Sequence, residues 1–135
     1  MSFKLSQPKN TREIEKPSKN TGSFTSVVGA LYAYSVTTGS LALAGTATDA
    51  NQQLWVALEA QPTTTNFAAL RVLPGDTFVA DTTANTAATQ VGQRGIIDST
   101  GLLYTNSGTD VTAGPFQMIA TVGLSTDKKA LVVHV

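Results

Sequence analysis

The chain has 135 residues, of which 41% are hydrophobic and only 13% charged, with nine basic residues against nine acidic ones and no cysteine. That is the size of one ordinary domain with a real core, and its hydrophobicity at a formal net charge of zero excludes a disordered polyelectrolyte. The missing cysteines exclude a disulfide framework, a thiol nucleophile and thiolate metal sites, and the balanced charge argues against nucleic acid as a partner, which needs clustered Lys and Arg.

Residues 1–21 read as an extended N-terminal arm. Lys4, Lys9, Arg12, Lys16 and Lys19 face only Glu13 and Glu15 there, a net +3, while the remainder carries −3. Pro8 and Pro17 interrupt the arm, and beyond Met1 its only apolar residues are Phe3, Leu5 and Ile14, too few for a core face. It has no apolar centre of a secretory signal, and no apolar run in the chain approaches the ~20 residues of a membrane-spanning helix, so no membrane partner is expected. An arm of this kind is either a floppy leader or a segment that orders on a neighbouring protein, with Phe3, Leu5 and Ile14 as anchors and Lys9 and Arg12 meeting acidic surface.

Residues 22–135 alternate with a period of two between clusters of Gly, Pro, Asn, Asp, Ser and Thr, which predicts a single all-β domain, a small antiparallel sandwich or barrel. Phe24 to Val36 is the first predicted strand, with Tyr32 and Tyr34 on one side and Leu31 and Ala33 on the other. Leu41 to Gly45 follows the Thr37–Ser40 turn. Gln53 to Ala60 alternates best, placing Leu54, Val56 and Leu58 opposite Trp55, Ala57 and Glu59. Phe67 to Leu73 and Thr77 to Ala80 flank Leu73-Pro74-Gly75-Asp76, whose Pro and Gly suit the two central positions of a type II turn. Asp81 to Gln90 lacks large apolar residues and reads as a surface loop. Gln93 to Asp98 pairs with Leu102 to Tyr104, and a hairpin from Phe116 to Val135, bent at Ser125–Lys129, closes the chain. Ala47 to Ala60 is the best helix candidate, but Trp55 and Val56 within an alternating run favour strand.

Few side chains suit catalysis. The one histidine, His134, is expected on a solvated or edge strand, and a Ser and His pair would lack a Gly-x-Ser-x-Gly turn. Glu59, Asp76, Asp81, Asp98 and Asp110 could meet as paired carboxylates across a β cleft, yet Asp76, Asp98 and Asp110 stand in turn contexts where a short carboxylate bonds its own backbone. Gly92-Gln93-Arg94-Gly95 is too short for a phosphate loop. No enzyme activity, metal or cofactor is expected. Trp55, Tyr32 and Tyr34 are candidates for the core or for subunit contacts, because large rings fill cores and are enriched at interfaces; stacking of Trp55 on a sugar is the weaker reading.

The arm Ser2 to Thr21, the run Val27-Val28-Gly29-Ala30-Leu31-Tyr32-Ala33-Tyr34, the turn Leu73-Pro74-Gly75-Asp76-Thr77-Phe78 and the close from Gly114 to Val135 give nearly the whole chain a layout that resembles the capsid decoration, or cement, proteins of tailed bacteriophages. The resemblance implies a structural virion protein on the outer surface of the expanded head, made in the host cytoplasm. Its partners would be the major capsid protein and itself, as a homotrimer, and it would stiffen the shell against internal DNA pressure. The alternative from the exposed-aromatic reading is a glycan- or receptor-binding β module displayed on a virion.

Overall fold

The computed structural model describes residues 3–7, 13–19, 24–35, 38–45, 48, 52–106 and 110–135. The fold is all-β. Its strands are β1 (Phe3–Gln7), β2 (Leu31–Tyr34), β3 (Leu41–Leu43), β4 (Leu54–Ala57), β5 (Ala69–Val72), β6 (Thr77–Thr82), β7 (Arg94–Ile97), β8 (Leu103–Thr105), β9 (Phe116–Val122) and β10 (Lys129–His134), joined by loops and two short 3₁₀ turns. Five of them, in the order β6-β10-β9-β7-β8, close into a barrel because β8 returns to β6 in a parallel pairing of Asp81 with Leu103 and Thr82 with Tyr104. β1 adds to β6 antiparallel, from Phe3 opposite Ala80 to Gln7 opposite Thr77, along the edge that β8 leaves uncovered. The remaining strands form a four-stranded antiparallel sheet, β3-β2-β4-β5.

The burial pattern follows from the sequence strand by strand. β6 and β10 alternate, so Phe78, Ala80 and Thr82, and likewise Ala130, Val132 and His134, point into the barrel. β2 reads Leu-Tyr-Ala-Tyr and β4 reads Leu-Trp-Val-Ala, with no polar side chain on either face, so their sheet must be covered on both sides. One face, carrying Leu31, Ala33, Leu54, Val56 and Val72, joins the barrel interior in a single core with Phe78, Ile97, Tyr104, Phe116 and Met118. The other face carries Tyr32, Trp55 and Ala69, which with Leu41 and Phe67 form a second core. Each fully buried Phe contributes about 1.5–3 kcal/mol of burial, and Phe3 adds itself to this set by stacking on Phe116 with ring centroids 5.0 Å apart.

Several expectations shift in detail. The strand expected over Phe24–Val36 begins only at Leu31, because a turn at Val27–Ala30, with Gly29 at a φ of 82°, precedes it; it runs to Tyr34, and Val36 lies outside the described residues. The segment read as a loop from Asp81 begins instead with the end of β6, since pairing to β8 and β10 carries that strand to Thr82. The turn at Leu73–Asp76 forms as its residues dictate: Asp76 N–H donates to the Leu73 carbonyl at 3.0 Å and Gly75 holds a φ of 91°. His134 is corrected outright. It is buried on β10, a strand flanked by β6 and β9, and its Nδ1–H donates to the Pro115 carbonyl at 2.8 Å.

Packing around β7 leaves no room for a side chain at two glycines. A Cβ on Gly95 would lie 2.6 Å from the Tyr104 ring and 2.7 Å from the Thr105 carbonyl, and one on Gly114 would lie 2.4 Å from the Gly95 carbonyl. By contrast, a Cβ on Gly45 would meet nothing closer than 3.8 Å. Overpacking of this kind typically costs about 1–3 kcal/mol. Gly95→Ala and Gly114→Ala are each expected to lower the unfolding free energy by that amount, read as a lower urea midpoint, with Gly45→Ala close to wild type in the same equilibrium unfolding measurement.

Candidate functional site

Two surfaces carry the residues of interest: the second face of the four-stranded sheet, and a groove beside β1. The first is closed by the chain itself. Glu15 exchanges backbone hydrogen bonds with Ala69 at 2.9 and 2.8 Å, so residues 13–19 run along the outer edge of β5. One Glu15 carboxylate oxygen accepts from Trp55 Nε1 at 3.1 Å and from Arg71 Nε at 2.9 Å. These bonds, that from Trp55 first, hold the Glu15 carboxyl below its ordinary range. Tyr34 donates its hydroxyl proton to the Ser18 carbonyl at 2.7 Å, and its ring meets Trp55 edge-on at 5.4 Å.

Of the rings read as core or subunit contacts, Tyr32 and Trp55 are packed within the chain. Tyr32 is fully buried, its hydroxyl accepting from Val27 N–H at 2.9 Å, and Trp55 is only 6% exposed. Trp55 offers no open ring face to a sugar, while Tyr34 is half-buried. The predicted arm residues divide. Phe3 is buried in the main core, Leu5 pairs with Phe78 in the β1–β6 register, and Ile14 is 62% exposed. Lys9 and Arg12 lie outside the described residues.

Lys19 is the functional candidate that sequence reasoning passed over. Its ammonium is buried, donating to the carbonyls of Phe24 and Thr63 at 2.7 Å each and lying 3.3 and 3.4 Å from those of Gln61 and Pro62. Burial pushes its pKa below the ordinary lysine value. Nothing in the local sequence distinguishes it from the other lysines of the arm, because the acceptors lie 42 to 44 residues away along the chain, apart from Phe24.

The groove lies between β1 and the β4–β5 hairpin. It has a volume of ≈ 230 Å³ and is lined by Phe3, Lys4, Val28, Val56, Leu58 and Leu70. Phe3 and Val56 form its floor, while Val28 and Leu58 are 56% and 40% exposed. The Lys4 side chain is exposed beside this apolar wall and makes no hydrogen bond or ion pair with any described residue.

The acidic residues considered for a cleft are each engaged within the chain, Asp76 and Asp98 in their own turns as expected, but Asp110 with Arg94, 16 residues away. Glu59 accepts from Ala68 N–H at 2.7 Å, Asp76 from Leu73 N–H at 2.8 Å and Asp110 from Arg94 N–H at 2.7 Å. Asp98 accepts from Thr100 Oγ1 at 2.8 Å and Leu103 N–H at 3.0 Å, and Asp81 pairs with Lys129 at 2.6 Å. Among the described residues, no group of three or more His, Cys, Asp or Glu is placed to hold a metal ion. No protein-family model matches the chain, and neither a curated protein nor a solved structure matches it.

Burial lowers the His134 pKa from its ordinary value of 6.5, more than the Pro115 hydrogen bond and the Asp76 charge raise it. The folded protein thus keeps the imidazole neutral where the unfolded chain takes up a proton, and the unfolded state binds more protons below about pH 6.5. Stability is expected to hold above that pH and to fall as the pH drops through 6.5 towards the depressed folded value. Glu15 and Glu59, whose pKa values are lowered from 4.5, withdraw stability in a separate and more acidic window. In urea unfolding at a series of pH values, His134→Gln, which keeps a donor for Pro115, should abolish the loss between pH 6.5 and 5 and leave the loss below 4.5.

Proposed function

We propose that this chain is a structural capsid decoration protein of a tailed bacteriophage, which sits on the outside of the expanded head as a homotrimer and braces the major capsid protein against internal DNA pressure. The observation that carries the reading is the groove: an exposed apolar wall at Val28 and Leu58, with the exposed cation Lys4 beside it, on a β scaffold. A contact of that chemistry accepts an apolar side chain flanked by a carboxylate, and modest contacts suffice when symmetry repeats them over a lattice. The layout of a basic N-terminal segment ahead of a Thr- and Ala-rich β body supports the same reading. So does the engagement of the acidic side chains in turns and ion pairs, which gives them structural work.

Purified protein mixed with expanded heads assembled from the major capsid protein of its own phage should co-sediment with them saturably and raise the temperature at which they disrupt. Absence of co-sedimentation contradicts the proposal. Leu58→Asp, which puts a carboxylate on a half-open wall, should weaken that binding on the order of tenfold or more, equivalent to about 1.4 kcal/mol, with far-UV circular dichroism unchanged. Leu124→Asp, at a position 71% exposed on the bend of the last hairpin, should bind like wild type.

A further inference from the structure

We infer that the Phe24 carbonyl and the loop Gln61-Pro62-Thr63 form a binding site for a primary ammonium group, which the chain fills with its own Lys19 and which fastens residues 13–19 over the aromatic face of the four-stranded sheet. Four carbonyl oxygens converge there, and a carbonyl can only accept. An ammonium has three N–H donors and no acceptor: two reach Phe24 and Thr63 at 2.7 Å, and the third is shared by Gln61 and Pro62 at 3.3 and 3.4 Å. The nitrogen also lies 4.6 Å from the centroid of the Phe24 ring and 5.9 Å from that of Phe67, within reach of their negative faces. The Gln61, Pro62 and Thr63 oxygens also accept from the backbone N–H groups of Ser26, Thr65 and Phe24, so the ammonium is a further donor to them; an acidic group of the same size would be repelled, and an apolar one would withdraw that donor.

The loop is shaped for this occupant. Thr63 holds a φ of 25°, a left-handed conformation that a β-branched residue adopts only when its surroundings impose it. The Ser26 side chain accepts from Gln61 N–H at 2.7 Å and donates to the Glu59 carbonyl at 2.8 Å, bracing the loop from behind. On the occupant's side, Lys19 N–H donates to Asn66 Oδ1 at 3.1 Å, so backbone and ammonium are gripped together. Residues 13–18 meanwhile present Glu13, Ile14, Lys16 and Ser18 to solvent. Their attachment rests on the Glu15 bonds, the Ser18 carbonyl and the Lys19 ammonium more than on apolar packing, although Pro17 is buried. The inference does not depend on the capsid reading.

The test is chemical rescue in the full chain. Lys19→Ala should melt at a lower temperature than wild type and show red-shifted Trp55 emission as residues 13–19 lift. Methylammonium chloride should then raise the melting temperature saturably and reverse the red shift. Tetramethylammonium chloride at equal ionic strength, with the same charge and no N–H, should do neither, and wild type should respond to neither. Equal effects of the two salts on the variant, or an equal response of the wild type, overturn the site. Should the variant not fold, the wild-type ammonium protons answer the question by NMR. Those of Lys19 should exchange with water on the order of tenfold or more slowly than those of Lys128 and show Overhauser contacts to the Phe24 ring. Exchange as fast as Lys128 overturns it.

Discussion

Closure of the barrel by two residue pairs, Asp81 with Leu103 and Thr82 with Tyr104, is the constraint on which the rest of the molecule depends. It joins strands more than twenty residues apart, and Thr83 N–H extends it by donating to the Tyr104 carbonyl at 3.1 Å. A closed barrel has no free edges to protect, and the inward residues of β6, β9 and β10 then have one interior to fill. Because β8 takes only the end of β6, the rest of that edge is left for β1, which brings Phe3 into the core and Lys4 to the groove. The turn before β8 also supplies the Gly101 carbonyl to Leu31 N–H at 2.9 Å, tying the four-stranded sheet to the barrel where their cores merge.

Polar side chains serve this scaffold at points where the backbone would otherwise lack partners. Asn106, buried beside the closure, accepts from Ala84 N–H at 3.0 Å and donates to the carbonyls of Ala84 and Asn85 at 3.1 and 3.0 Å, holding the loop that follows β6. Asp76 and His134 meet at the other end of β6: Asp76 caps the Leu73 turn, and its carbonyl accepts from His134 N–H at 2.9 Å. Lys19 adds donors to the Gln61–Thr63 loop, whose carbonyls also accept from the N–H groups of Ser26, Thr65 and Phe24, and supplies one to the Phe24 carbonyl. A buried polar group with all its partners is worth keeping, whereas a buried orphan costs about 1–3 kcal/mol.

The all-β class, the strand alternation and the Pro-Gly turn were legible in the sequence because each is local: a period of two, or four consecutive residues with fixed chemistry. The two faces of β4 were legible for the same reason, with Trp55 opposite Leu54 and Val56. What covers Trp55 was not, since Glu15 lies 40 residues away and looks like any surface acid. Barrel closure was equally hidden, being a short parallel pairing with no sequence signature. His134 misled because a lone histidine one residue from the end of the chain reads as solvated, whereas its burial is set by the position of β10 between β6 and β9. Phe3 misled in the same way: its apolar character was plain, but the partner it meets is Phe116 of the same chain.

The division of the chain by charge, a basic N-terminal segment and an acidic-leaning body, acquires a physical meaning in this arrangement. Two cations of the N-terminal segment take different positions, Lys19 inward against the Gln61–Thr63 carbonyls and Lys4 outward beside an apolar wall. The most direct measurement of whether that wall is the working surface is amide hydrogen exchange of the protein bound to expanded heads, compared with the protein free in solution. Protection centred on Lys4, Val28, Gly29, Leu58 and Leu70 is the predicted result; binding that leaves these amides unchanged and protects another face would contradict it.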